Sequence, residues 1–150
     1  MKAKYQVPFL HHAMMEPFAL TAHFKDGKLN IWGGMQDPLA TKMAAVEVSG
    51  LDADNVTFHP MIIGGSFGRR LPMYMEIVTQ VTKLAMQLPY PVKLIWSREE
   101  EVAQGAYRPQ SSAVLTASVT DKKRIAAYQN DYVQPESAED ETVFPYILPA

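Results

Sequence analysis

The loop Gly64-Gly65-Ser66-Phe67-Gly68-Arg69-Arg70 is the stretch whose residue types best suit chemistry. Its glycines permit positive φ and let a ligand approach the backbone closely. It lies between a predicted strand and a predicted helix, so its N–H groups suit an anion near a positive helix end. Two arginines add forked donors for phosphate or another oxyanion. No Gly-Lys-Ser/Thr follows, so it is not a P-loop, and the first Gly-x-Gly of the dinucleotide fingerprint is missing. A tight strand-to-helix turn with solvated arginines would look the same by spacing. Gln36, in Gly33-Gly34-Met35-Gln36-Asp37-Pro38, is the second candidate. A neutral amide can donate to an oxo or carbonyl oxygen without adding charge. It too follows a predicted strand and precedes a predicted helix, so both loops are expected at one sheet edge. Spacing alone leaves open that Gln36 is an ordinary loop residue.

Other chemistries find less support. His11 and His12 are adjacent and cannot share a face of a regular element. No HExxH and no histidine-plus-carboxylates pattern is present. His23 and His59 fall in predicted strands and read as structural, and no Ser/His/Asp grouping emerges. Glu99, Glu100 and Glu101 suit the first turn of a helix. The sequence has no cysteine, which excludes disulfides, thiolate metal sites and a cysteine nucleophile from these residues. Fourteen basic and sixteen acidic residues leave a formal charge of −2, so nothing favours nucleic acid or an anionic membrane. No apolar run is long enough for a membrane span, and no signal peptide is visible, leaving the cytoplasm and the periplasm both open.

The elements that must position the two loops follow from pattern. With 150 residues, 47% apolar and 20% charged, the chain can fold as one globular domain. Pro8 and Pro17 interrupt the N-terminal region, so residues 1–19 read as an extended arm. Asp26-Gly27 marks a hairpin over Leu20 to Trp32. Asp37 as N-cap, Pro38 in the first turn and Gly50 as terminator define a helix, with Leu39, Met43 and Val46 on one face. A strand is expected over about 55–63. A second helix is expected from Pro72, with Met73, Ile77, Val81, Leu84 and Leu88 as its buried stripe. Val92 to Trp96 reads as a short buried strand. Ser97 and Glu100 form a capping box for a helix over about 98–103. Residues 111–119 and 124–133 read as a hairpin, and an acidic then apolar tail follows Pro135. The expected fold is α+β and two-layered. It has a mixed sheet, two main helices on one face, a β-β-α-β-α-β core over 20–109, and a C-terminal hairpin and tail over 110–150.

Five segments occur here in order: HHAMMEP (11–17), WGGMQDP (32–38), GGSFGRR (64–70), VKLIWSREEEV (92–102) and YRP (107–109). Together they resemble the large, molybdenum-cofactor-binding subunit of the xanthine dehydrogenase and aldehyde oxidase family. The nearest flavour is its bacterial isoquinoline 1-oxidoreductase and aldehyde dehydrogenase β-subunit branch. The likeness covers residues 5–109 well and 110–150 weakly. It implies a molybdenum–molybdopterin cofactor and hydroxylation of a carbon next to nitrogen or oxygen, with oxygen taken from water. It also implies electron transfer to an iron–sulfur subunit. Gln36 matches a glutamine that hydrogen-bonds an oxo ligand of molybdenum. Phe67 and Gly68 match a pair that presents backbone to the metal and pterin, flanked by Gly65 and Ser66. Arg69 and Arg70 are then expected to face the pterin phosphate or its nucleotide extension. Glu16 and His12 lie in a family motif without an assigned role.

Two departures from the family pattern matter. Purine-oxidising relatives carry a carboxylate where Leu71 stands, so an aldehyde or an N-heterocycle is the expected substrate. The family's general base is a glutamate near the end of a much longer chain, and no position here matches it. The chain is therefore expected to be an N-terminal piece of the cofactor region, inactive alone, whose partners are the remainder of the large subunit and the iron–sulfur subunit. An exposed apolar patch near the Gln36 and Phe67 loops, with self-association to cover it, is expected. Two other functions remain compatible with the residues: a stand-alone module binding an anion or nucleotide through GGSFGRR, and a structural assembly domain.

Overall fold

A computed structural model describes residues 1–72 and 75–134. In chain order the elements are β1 (Lys2–Val7), β2 (Leu10–His11), β3 (Ala19–Lys25), β4 (Lys28–Gly33), α1 (Pro38–Ser49), a 3-10 turn (Ala53–Asn55) and β5 (Val56–Pro60). These are followed by α2 (Glu76–Ala85), β6 (Val92–Ile95), α3 (Arg98–Ala103), β7 (Tyr107–Arg108), β8 (Ser111–Val119) and β9 (Ile125–Val133). The chain divides into two compact units: His11–Ala106, and Met1–Leu10 together with the chain from Tyr107 onward.

The first unit is a two-layer α+β arrangement, as expected. Its sheet runs β5-β4-β3-β6, with β4 and β5 parallel and the other pairs antiparallel. The turn at Asp26-Gly27 closes the β3–β4 hairpin with φ of 52° and 74°, the left-handed pair that a two-residue hairpin loop requires. Period-two alternation sends Leu20, Ala22, Leu29, Ile31 and Val56 to one face, where they pack with Ile77, Val78, Val81 and Ala85 of α2 and Ala45 of α1. On the opposite face Trp32 stacks on His59 at 4.9 Å and 9°, and His59 bonds Asn30 through Nε2 at 3.0 Å. Both histidines expected in strands, His23 and His59, lie in strands.

Helix boundaries follow local chemistry closely. The Asp37 side chain accepts from the Ala40 N–H at 2.9 Å, and Gly50 ends α1 at φ 68°. The Ser97 hydroxyl accepts from the Glu100 N–H at 3.1 Å. The buried faces follow it less well. Leu39 and Met43 are exposed, while Thr41 and Ala45 face the sheet. The residues of α1 that are buried are small or polar, which an apolar-period reading passes over. Helix α2 starts at Glu76, not Pro72, and buries Val78 and Thr82 while Leu84 is exposed. Met73 lies outside the described residues. Strand β6 is an edge strand that half-buries alternate residues, with Ile95 exposed, so it is not a buried strand.

The second unit holds a three-stranded antiparallel sheet in the order β1-β8-β9. The expected hairpin is its β8–β9 half. The arm read over 1–19 contains a strand instead: Lys2–Val7 pairs with β8 from Thr116 to Ser111. Every residue of β1 is exposed, so no alternation of burial marked it in the sequence. The acidic and apolar tail from Pro135 lies outside the described residues.

Replacing Asp37 by Ala removes the α1 cap and is expected to cost about 1 kcal/mol in urea unfolding. A methyl group at Gly33 would sit 2.0 Å from Leu20 Cδ2 in the core. Gly33→Ala is therefore expected to cost about 1–3 kcal/mol in the same measurement.

Candidate functional site

Strand direction brings the candidate loops together. Because β4 and β5 are parallel, their C-terminal ends share one sheet edge, and Gly33–Gln36 and Met61–Arg70 leave from it. Strand β3 is antiparallel to β4, so the segment entering it, Met14–Phe18, arrives at the same edge. Strand β6 leaves there as well: the Trp96 N–H donates to the Phe18 carbonyl at 2.9 Å, and α3 follows. Carboxyl ends of strands gathered at one edge are a common place for ligands in mixed and parallel sheets.

Arg70 ties these segments to one another. Its side chain is fully buried. Its Nη1 donates to the Gly34 carbonyl at 2.6 Å, and its Nη2 donates to the Glu16 carbonyl at 2.8 Å and reaches the Pro17 carbonyl at 3.4 Å. The Glu16 carboxylate lies 3.6 Å from Nη2. Burial pushes the Arg70 guanidinium below its ordinary value, and the charges of Glu16 and Glu101 oppose that shift. Arg69 is buried beside it, with its Nη1 3.4 Å from the Glu76 carboxylate. Both guanidinium groups lie against the buried Phe18 ring, at 5.0 and 5.1 Å from its centroid. Trp96 meets the same ring edge-on at 5.3 Å.

The two candidate loops are bonded directly. The Gln36 N–H donates to the Arg70 carbonyl at 3.1 Å, and the Gln36 Oε1 accepts from the Arg70 N–H at 3.3 Å. A backbone N–H only donates, so it fixes which end of the Gln36 amide faces inward. Gln36 is exposed, and among the described residues its Nε2 has no hydrogen-bond partner. Across from it the glycine loop turns through positive φ at Gly65 (93°), Phe67 (49°) and Gly68 (95°). A left-handed non-glycine residue is uncommon, and here it leaves the Phe67 ring exposed at the site rim. The Arg69 N–H closes the turn on the Ser66 carbonyl at 2.9 Å. Gly34 has no room for a side chain: a Cβ there would lie 1.6 Å from Ile63 Cγ2.

Of the residues singled out in the sequence, Gln36 and Gly65 to Arg70 therefore gather at one edge, as expected. Gln36 and Phe67 are exposed at this edge and Gly65 and Gly68 are half-buried, while Ser66 is buried beneath them. Arg69 and Arg70 do not face outward for an anion. Burial turns Arg70 into the frame under the loop, where the Gly34 and Glu16 carbonyls take its donors, and Arg69 lies buried beside it against Phe18. No cluster of three or more metal-ligating side chains occurs among the described residues, and no helix there is long and apolar enough to cross a membrane.

Sequence reasoning missed three contributors. Glu16 binds both the Gly64 N–H and Arg70, and those pairs are 48 and 54 residues apart, beyond any local pattern. Phe18 carries no signal except its apolar type. Glu101 belongs to the acidic first turn of α3 but is fully buried, hydrogen-bonded by Arg98 and 3.7 Å from His11 Nε2. Its place four residues after the Ser97 cap, turned inward, is the only local hint. His12, also in the HHAMMEP segment, is buried and its Nδ1 bonds the Ala106 carbonyl at 3.1 Å.

Comparison with known proteins agrees with this geometry. Residues 1–145 match the family model described as the molybdopterin cofactor-binding domain. The chain is 30% identical over 127 residues to the isoquinoline 1-oxidoreductase subunit beta of Brevundimonas diminuta, covering 83% of this chain and 16% of that protein. It is 23% identical over 107 residues to the xanthine dehydrogenase of Emericella nidulans, covering 71% and 8% respectively. Its fold is similar to that of the aldehyde oxidoreductase from Desulfovibrio gigas, with a TM-score of 0.70 at 18% identity over 89% of this chain and 15% of that one. The chain thus spans about a sixth of the length of the first of these relatives.

Replacing Arg70 by Leu keeps bulk but strands the Gly34 and Glu16 carbonyls inside. The expected loss is about 3 kcal/mol in urea unfolding. A loss below that of the exposed control Arg124→Leu would show that the guanidinium does not hold this edge together.

Proposed function

The chain belongs to the molybdopterin cofactor-binding domain family, and we propose that the edge formed by Gln36 and Gly65–Gly68 is where it contacts a molybdenum–molybdopterin cofactor. The enzyme it serves is, on this reading, a molybdenum hydroxylase that oxidises an aldehyde or an N-heterocycle. The bound cofactor supplies the two-electron oxidation, with water as the oxygen source.

The single observation that carries the reading is the orientation of Gln36. Its oxygen is held by the Arg70 N–H, so its Nε2 hydrogens face out beside the glycine loop. They can donate to an oxygen ligand and add no charge. Gly65 and Gly68 allow the backbone to approach a bulky ligand, and the exposed Phe67 ring offers that ligand an apolar surface. Leu71 places no carboxylate next to this surface, which suits an aldehyde or apolar heterocycle better than a purine. These residues bind and orient; the proton-accepting carboxylate that the family uses is not among them. The 150 residues alone are then inactive, and electrons leave through an iron–sulfur partner outside this chain. A free anion-binding module is less suited to the geometry, because both arginines of GGSFGRR are buried. Leu39, Met61, Ile62 and Phe67 flank the two loops in sequence and are exposed, Ile62 at 99%. They provide the apolar surface through which the rest of the enzyme, or a second copy, would pack.

The test uses the complete gene product containing these residues, purified with its companion subunits. Pterin is measured by fluorescence after oxidation, and molybdenum by elemental analysis. Stoichiometric pterin and metal are expected. Gly68→Val should lower both several-fold, whereas Gln36→Ala should keep pterin and slow turnover at least about tenfold. Absence of pterin from the wild-type protein would sink the proposal. For the chain by itself, light scattering is expected to show concentration-dependent association that Ile62→Lys weakens.

A further inference from the structure

Glu16 belongs to none of the roles above, yet its contacts converge on the site. One carboxylate oxygen accepts from the Gly64 N–H, at the entrance of the glycine loop. The other lies 3.6 Å from Arg70 Nη2, and the Glu16 backbone carbonyl accepts from the same nitrogen at 2.8 Å. Arg70 in turn bonds Gln36 through both of its backbone groups. One side chain therefore reaches the start of the loop directly and its far end, with Gln36, through Arg70.

Gly64 itself points to the same fit. A Cβ built on it would lie 2.9 Å from Glu16 Cβ and 3.0 Å from its Oε2. The first of these is a stem atom that cannot swing away, so the absence of a side chain at Gly64 is what lets Glu16 seat on the loop. Gly64 is exposed. Its N–H has the Glu16 carboxylate as partner in a place where water would otherwise compete, and a charged acceptor is the stronger choice there.

We propose that Glu16 is a positioning residue: it clamps the Gly64 N–H and Arg70, and so sets the spacing between the glycine loop and Gln36 that receives the cofactor. The last clause rests on the functional reading above; the clamp does not. Pro17, next in the chain, has its φ fixed by its ring just before β3 begins at Ala19.

The experiment compares Glu16→Ala, Glu16→Gln and Gly64→Ala with wild type by residue-resolved amide exchange. The β3–β4 amides of Ala22 and Ile31 report whether the fold is intact. Glu16→Ala is expected to speed exchange at Gly64 about tenfold or more with the hairpin unchanged. Glu16→Gln keeps an acceptor oxygen and should restore protection to within about threefold of wild type. Gly64→Ala displaces Glu16 without removing any polar group and should deprotect the loop as Glu16→Ala does. Unchanged exchange at Gly64 in Glu16→Ala overturns the clamp, as does equal exchange in Glu16→Gln and Glu16→Ala. Pterin content of the complete gene product is read in parallel. A several-fold loss in Glu16→Ala that Glu16→Gln recovers supports positioning toward the cofactor, and equal content in the two overturns it. A wild-type protein without pterin overturns the functional reading instead, while the exchange results still decide the clamp.

Discussion

A fully buried arginine needs hydrogen-bond acceptors for its donors and a counter-charge, because an uncompensated guanidinium inside a protein is costly. At Arg70 the carbonyls of Glu16 and Pro17 before β3 and of Gly34 after β4 take Nη1 and Nη2, and the Glu16 carboxylate supplies the counter-charge. Among the described residues Nε has no partner. These two segments are thereby joined to the third, the glycine loop that carries Arg70. None of the three can move independently without stranding a donor or a carbonyl. The edge proposed to meet the cofactor takes its shape from this arrangement. Gln36 is oriented by the backbone of Arg70, and the loop is pinned at its entrance by the carboxylate that also faces the guanidinium. Both guanidinium groups lie against the Phe18 ring, which belongs to the hydrophobic core.

The sheet supplies what the arginine exploits. A purely antiparallel meander would send the exits of β4 and β5 to opposite edges. The single parallel pair, with α1 as its crossover, returns both exits to one edge. Helix α1 is therefore both a core element and the spacer that makes the two loops neighbours. Its inward residues, Thr41 and Ala45, are small, and its larger Leu39 and Met43 remain on the outside of this unit. The family relation fits that distribution, since the chain spans only a small share of relatives that are much longer.

Much of this was legible from local chemistry. The Asp37, Gly50 and Ser97 caps and the Asp26-Gly27 turn act over a few residues, and their positions in the structure are those the sequence indicates. The pairing of the Gln36 and GGSFGRR loops was legible because each follows a strand and precedes a helix or turn. Faces were harder. The apolar period on α1 pointed to Leu39 and Met43, while the buried residues are Thr41 and Ala45. Strand β1 has no buried residue and so left no alternation to read. The reversal of Arg69 and Arg70 from ligand donors to internal frame could not be seen locally. At Arg70 it depends on acceptors supplied by Glu16, Pro17 and Gly34 and at Arg69 on Glu76, and residue type alone does not tell a solvated arginine from a buried one.

The sequence separations of these bonds carry a consequence for how the site comes into being. The β3–β4 hairpin closes through a two-residue turn, so it can form early and locally. The bonds from Arg70 to Gly34 and Glu16 close loops of 36 and 54 residues, and the Glu16 bond to Gly64 closes one of 48. Long closures cost chain entropy that is recovered only when the surrounding sheet and α1 are already in place. The ligand edge is therefore among the last parts of this unit to be completed as the chain folds. A nascent chain lacking residues beyond β5 has the hairpin and the first helix but no Arg70 to join them, and hence not yet the edge proposed to meet a cofactor.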